Sequence, residues 1–118
     1  MIKFQSLNQS KQFLRILKKK SLNTKYFTIY FERNLEENSK NNLNISFVMK
    51  KKLGNAVKRN KIKRKLKAAV QKILREKETV DLNRTYVIFG RNNVYKDKFQ
   101  LVFNEVNEVF KRIKKVGN

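Results

Sequence analysis

The sequence predicts an α+β fold, a two-layer α/β sandwich with elements in the order α-β-β(-β)-α-β-α. Three observations lead there. Two long segments, about 56–77 and 98–115, carry apolar residues at helical spacing. Three short segments, about 25–33, 43–49 and 85–90, are rich in β-branched and aromatic residues, and the first two alternate apolar with polar. Polar, turn-forming stretches lie between them. At 118 residues the chain has the length of one domain, 1–118, and is short for two.

Residues 1–8 read as an extended lead-in. Asn8 or Ser10 is placed to cap a short helix over about 9–19, with Phe13, Ile16 and Leu17 on one face. Phe27, Ile29 and Phe31 form the apolar face of the first strand. Tyr26, Thr28, Tyr30 and Glu32 form the other face, which suits either amphipathic cover or a platform on which bases stack. Residues 34–42 are polar and predict a hairpin loop into the strand at 43–49. Ile62, Leu66, Ala69, Val70 and Ile73 mark one face of the long helix. Residues 91–97 read as a loop. Phe99, Val102, Phe103, Val106, Phe110 and Ile113 form the stripe of the last helix. The general rule makes the strand–helix–strand unit at 43–90 right-handed.

Charge is concentrated at the start of the long helix. Lys plus Arg number 30 and Asp plus Glu 9, a formal charge of +21. Residues 50–67, KKKLGNAVKRNKIKRKLK, hold ten basic residues and no acidic one. Gly54 permits a tight turn and Asn55 is a preferred N-cap, so a helix starting near Ala56 leaves first-turn N–H groups directed outward. A helix optimised for stability alone places Asp or Glu there; this one has Lys58, Arg59 and Lys61. That arrangement suits an anion, and phosphate is the obvious one. A solvated face without a partner usually mixes the two signs.

Several chemistries lack their residues. There is no Cys and no His, so no disulfide, no thiolate site and no imidazole base or ligand. The nine carboxylates are scattered without the spacing of a metal site or an acid–base pair. Gly54 stands alone, with no glycine-rich nucleotide loop around it, so no nucleotide cofactor is expected. No apolar run approaches the roughly 20 residues of a membrane span, and no signal peptide is evident; the expectation is a cytoplasmic protein with no membrane partner. The chain by itself is expected to make and break no bonds, having no catalytic residue.

What such a chain can do is position RNA. Its phosphate-facing groups are the helix start with Lys52, Arg59, Lys61, Lys63 and Arg64. Asn55 and Asn60 add neutral hydrogen bonds, and Asn60 can reach a hydrated metal ion through water.

The segment 51–70 resembles the signature of the protein subunit of bacterial ribonuclease P, Lys-Lys-x-Gly-Asn-Ala-Val-x-Arg-Asn-Arg-x-Lys-Arg-x-x-Arg. Lys51, Lys52, Gly54, Asn55, Ala56, Val57, Arg59, Asn60, Lys63 and Arg64 match it at fixed spacing. Lys61 and Lys67 stand where the family has Arg, keeping charge but losing the bidentate fork. Lys50 stands where Ser is frequent, and Leu17 where a second aromatic is common. The resemblance implies a left-handed crossover through the basic helix, against the general rule. It implies that a catalytic RNA subunit removes the 5′ leader of precursor tRNA by Mg²⁺-dependent hydrolysis, the metal held mainly by the RNA. The implied RNA-binding set is Lys51, Lys52, Asn55, Arg59, Asn60, Lys61, Lys63, Arg64 and Lys67. The implied leader cleft is Phe13, Leu17, Thr28 and Tyr30.

Two other classes fit part of the pattern. A structural RNA-binding protein, such as a small ribosomal protein, explains charge, size and fold but not the clustered signature. An autonomous metal-dependent nuclease lacks its carboxylate or His cluster. Cleavage assays with and without the catalytic RNA separate the three.

Overall fold

The computed structural model describes residues 2–7, 9–34 and 41–116. In chain order these form β1 (Lys3–Gln5), α1 (Ser10–Ile16), β2 (Ser21–Asn23), β3 (Phe27–Arg33) and β4 (Asn42–Val48). A 3-10 turn (Lys51–Leu53) follows, then α2 (Ala56–Glu76), β5 (Arg84–Gly90), α3 (Asn93–Lys96) and α4 (Phe99–Lys115). The α+β class and the six predicted elements, α1, β3, β4, α2, β5 and α4, agree with the sequence. The two three-residue strands and α3 are additions, and the lead-in contributes β1.

The strands form one mixed sheet in the order β1-β4-β5-β3-β2. β4 runs parallel to β1 on one side and to β5 on the other; β3 is antiparallel to β5 and to β2. The hairpin expected at 34–42 is therefore not formed. β5 lies between β3 and β4, about two strand spacings, or roughly 10 Å, of separation. Residues 35–40 of that predicted loop lie outside the described residues. Alternation identifies which face a side chain takes but not which strand lies next to it. β5 arrives through α2 and takes the central place, with Arg84 through Ile88 buried on both faces.

The expected face of α2 packs as written: Ile62, Leu66, Ala69, Val70 and Ile73 are all buried. They meet Phe27, Ile29, Phe31, Leu43, Ile45, Tyr86 and Ile88 from one side of the sheet. α4 closes this layer with Val102, Phe103, Val106, Phe110 and Ile113, and Tyr86 meets Phe110 edge-on at 5.1 Å. Each fully buried Leu, Ile or Phe contributes about 1.5–3 kcal/mol, which is what holds a chain of this charge together. Burial also raises the Tyr86 phenol well above its ordinary range, and its hydroxyl donates to the Asp81 carbonyl. Buried Arg84 donates to the Asp81 carboxylate at 3.1 Å and to the Val116 carbonyl at 2.7 Å, tying the start of β5 to the end of α4.

α1 covers the opposite face. It is shorter than predicted, and its N-cap is Gln9, without a side-chain cap bond; Ser10 is its first residue. Asn8 lies outside the described residues. One face assignment fails. Tyr26 precedes β3 and does not share the exposed face of Thr28 and Tyr30: it is buried, and its hydroxyl donates to Asp97 at 2.6 Å. Alternation does not extend past the end of a strand. Among the described residues, no helix is long and apolar enough to cross a membrane.

Candidate nucleic-acid interface

The start of α2 is built by two residues. Gly54 sits at φ 137°, a backbone conformation that side chains avoid, and an added Cβ would lie 2.9 Å from Lys58 Cδ. This lets the 3-10 turn reverse directly into the helix. Asn55 then caps α2, its Oδ1 accepting the Lys58 N–H at 2.9 Å. Its carbonyl accepts the Arg59 N–H, leaving the N–H groups of Ala56 and Val57 without a partner among the described residues. Arg59 Nε donates to the Gly54 carbonyl at 3.2 Å, so its guanidinium is held over the turn.

At 100° per residue the helix sorts its cations onto two sides. Arg59, Asn60, Lys63, Arg64 and Lys67 fall on the side facing away from α3. Lys51 and Lys52 lie just before them, exposed on the 3-10 turn. Lys61 is exposed but falls toward the other side, with Lys58, Lys65 and Lys72. Those three are engaged by the protein itself. Lys58 lies over the Tyr95 ring, Lys65 donates to the Asp97 carbonyl, and Lys72 lies over Phe99 and Phe103. By contrast Lys51, Lys52, Lys61, Lys63, Arg64 and Lys67 make no ion pair with any described residue. The structure thus gathers all of the sequence-predicted basic set except Lys61, which sits on the flank.

The engaged side is fastened through Asp97, whose carboxylate accepts from Tyr26 and pairs with Lys25 at 3.4 Å. The Tyr26 hydrogen bond, then Lys25, holds that carboxyl below its ordinary value; partial burial opposes them. Desolvation and the bond to Asp97 raise Tyr26 in turn.

Beside the open side of α2 runs a groove. A recess of about 220 Å³ is lined by Phe47, Met49, Ala56, Arg59, Asn60 and Lys63. It adjoins one of about 290 Å³ that includes Phe4, Phe13, Ser46, Val48, Lys63 and Lys67. Phe47 and Lys63 belong to both. Phe13 therefore joins the basic side of α2 to the sheet face away from the core. There its ring lies 6.3 Å from Phe89, which lies 5.7 Å from Tyr30, edge-on.

Of the predicted cleft residues, Phe13 and Tyr30 gather around a third ring that sequence reasoning missed. Phe89 pairs with Thr28 across the β3–β5 ladder. Its phase along β5 puts it on the same face as Tyr30, but that follows only once β5 is known to lie beside β3. Thr28 is already engaged: its hydroxyl donates to Asn23 and accepts from Arg91 at 2.9 Å. Leu17 ends α1, half-buried, and brings no ring. Among the described residues, no group of three or more His, Cys, Asp or Glu side chains is placed to hold a metal ion.

Fold and site together define a small α+β protein that turns one cationic helix side and one aromatic cleft toward the same groove. The chain belongs to the ribonuclease P protein family, whose model, described as Ribonuclease P, matches residues 1–114. It is 30% identical over 116 residues to the ribonuclease P protein component of Mesomycoplasma hyopneumoniae (strain 7448), covering 98% of this chain and 97% of the relative. It is 29% identical over 113 residues to that of Bacillus cereus (strain G9842), covering 95% and 93%. The solved ribonuclease P protein of Thermotoga maritima superposes with a TM-score of 0.73 at 25% identity, covering 97% of this chain and 99% of that one. That of Staphylococcus aureus does so with a TM-score of 0.68 at 26% identity, covering 96% and 97%.

Proposed function

We propose that this chain is the protein subunit of the cytoplasmic ribonucleoprotein endonuclease that removes the 5′ leader from precursor tRNA. It binds the catalytic RNA subunit through the basic side of α2 and the single-stranded leader through the aromatic cleft. The observation that carries this reading is the unpaired cationic set Lys51, Lys52, Arg59, Lys63, Arg64 and Lys67 beside Asn55 and Asn60, with Phe13 linking it to the cleft. Cations without carboxylate partners repel one another, and phosphates relieve that repulsion while releasing counterions. The free N–H groups of Ala56 and Val57 add donors at the positive end of the helix.

The protein holds and orients, and the RNA reacts. Mg²⁺ supplies the hydrolytic chemistry when bound by the RNA. No described cluster of carboxylates is placed to close around it. Asn60, exposed beside the cationic set, reaches such an ion only through water.

Reconstitution with a bacterial catalytic RNA at low Mg²⁺ tests the reading. Protein alone should leave precursor tRNA intact, and added protein should raise RNA-driven cleavage at the leader junction strongly. Cleavage by repurified, RNA-free protein would reject the division of labour. Tight RNA binding with no gain in cleavage would favour a structural RNA-binding role.

A further inference from the structure

Two departures from the family pattern outside its signature, Lys50 and Leu17, bear on one ring. Phe89 stands on β5, the central strand, on the face away from the core, and is half-buried. Phe13 and Tyr30 approach it tilted by 56° and 73°, as walls rather than as stacked partners. The group above the ring is the Lys50 ammonium, 5.3 Å from its centroid. Leu17, one turn beyond Phe13, contributes no aromatic surface.

We propose that Phe89 is the ring that receives an unpaired base of the leader, with Lys50 taking the adjoining phosphate. This rests on the leader-binding reading above and names the residues that carry it out in this chain. β5 supplies the aromatic surface that the end of α1 lacks.

The geometry gives both parts of the argument. A lysine over a solvent-accessible ring is held weakly, because its ammonium stays hydrated. Stacking a base is the stronger contact and is indifferent to base identity. A nucleotide entering between Phe13 and Tyr30 displaces the ammonium from the ring. It also brings a phosphate to which the same long side chain can swing. The cation is therefore not lost to the complex but transferred from π-face to phosphate. Were Phe89 merely filler between α1 and the sheet, replacing it with another apolar residue of similar size would leave substrate choice alone.

The test uses holoenzyme reconstituted with a bacterial catalytic RNA. Its probes are mature tRNA and precursor tRNAs carrying 2-aminopurine at successive leader positions. Wild type should prefer precursor and quench the probe at one position. Phe89→Leu should reduce the preference for precursor over mature tRNA by about tenfold and abolish that quenching, with thermal stability and catalytic-RNA affinity retained. Phe89→Tyr should keep both. Adding Leu17→Phe to Phe89→Leu should restore part of the preference, which no purely structural role predicts. Lys50→Ser should lower the salt slope of precursor binding by about one. If wild type prefers precursor and Phe89→Leu keeps both preference and quenching, this assignment fails while the leader reading stands. If wild type shows no preference for precursor, both fall.

Discussion

Asn55 Oδ1 accepts the Lys58 N–H at 2.9 Å, so the residue that caps α2 also stands at the foot of its basic side. Cap and proposed RNA contact are different physical roles and should respond oppositely to one substitution. Asn55→Ala removes the cap and should cost about 1 kcal/mol of stability. Asn55→Asp keeps the acceptor and places a negative charge at the helix's positive end, so the free protein should hold or gain a few tenths of a kcal/mol. The same charge should weaken binding to the catalytic RNA. Thermal melts beside RNA affinity check both arms. Equal RNA affinity for Asn55→Asp and wild type would place the phosphates elsewhere.

The division of α2 into two sides makes the next expectation. Arg59→Ala and Arg64→Ala should each weaken catalytic-RNA binding by roughly 1–3 kcal/mol. Lys63→Ala should do more than Lys61→Ala, because Lys61 lies toward the flank. Five to seven phosphate contacts give a log–log salt slope of roughly −4 to −6, and each alanine on the open side should reduce its magnitude by about one. Titrations at several salt concentrations measure this. A flat dependence, or Lys61→Ala as the worst variant, would mean that the wrong side of the helix has been chosen.

Much of this was legible in the sequence, for identifiable reasons. The face of α2 is set by 3.6-residue spacing, and its start by Gly54 and Asn55, which act within a few residues of themselves. Long periodic elements and local caps need no knowledge of the rest of the chain. The place of β5 between β3 and β4 does need it, because pairing joins residues far apart in sequence. That one unknown hid the missing hairpin and the position of Phe89 beside Tyr30. β1 and β2, three residues each, are too short for alternation to register; they form because edges of a larger sheet offer them partners. Burial of Tyr26 depends on Asp97, 71 positions away. Charge counts in a segment carry no azimuth, so the place of Lys61 toward the flank shows only in the folded helix.

Asp97 gives the pH expectation. Its folded-state value lies below the ordinary 3.8, chiefly through the Tyr26 hydrogen bond. A depressed carboxylate contributes stability above the unfolded value, and that contribution is lost as pH falls through the folded value. Wild type should therefore lose stability on acidification below about pH 4 by an increment that Asp97→Asn does not show. At neutral pH the variant should be the less stable, and the two curves should converge toward low pH. Denaturant midpoints between neutrality and about pH 2 provide the measurement. Parallel curves would mean that Asp97 is no better placed in the folded chain than in the unfolded one.

Tyr30 provides the sharpest test of the cleft. It stands at the middle of β3, pairs with Val87 of β5, and meets Phe89 edge-on at 5.7 Å. Its hydroxyl makes no hydrogen bond to a described residue, so Tyr30→Phe should leave stability unchanged. It should also leave precursor tRNA binding nearly unchanged if the ring, not the hydroxyl, meets the leader. Tyr30→Ala removes the wall beside Phe89 and should weaken precursor tRNA by roughly 1–3 kcal/mol. Mature tRNA has no leader, so its affinity should stay within a few tenths of a kcal/mol of wild type. Arg59→Ala should act instead through assembly with the catalytic RNA, lowering cleavage of every substrate at limiting protein and recovering at high protein. Holoenzyme affinity for two substrates that differ only in leader length separates these effects. Should Tyr30→Ala weaken both substrates equally while Tyr30→Phe weakens neither, the ring supports the fold or a general contact, and the leader lies elsewhere on the protein.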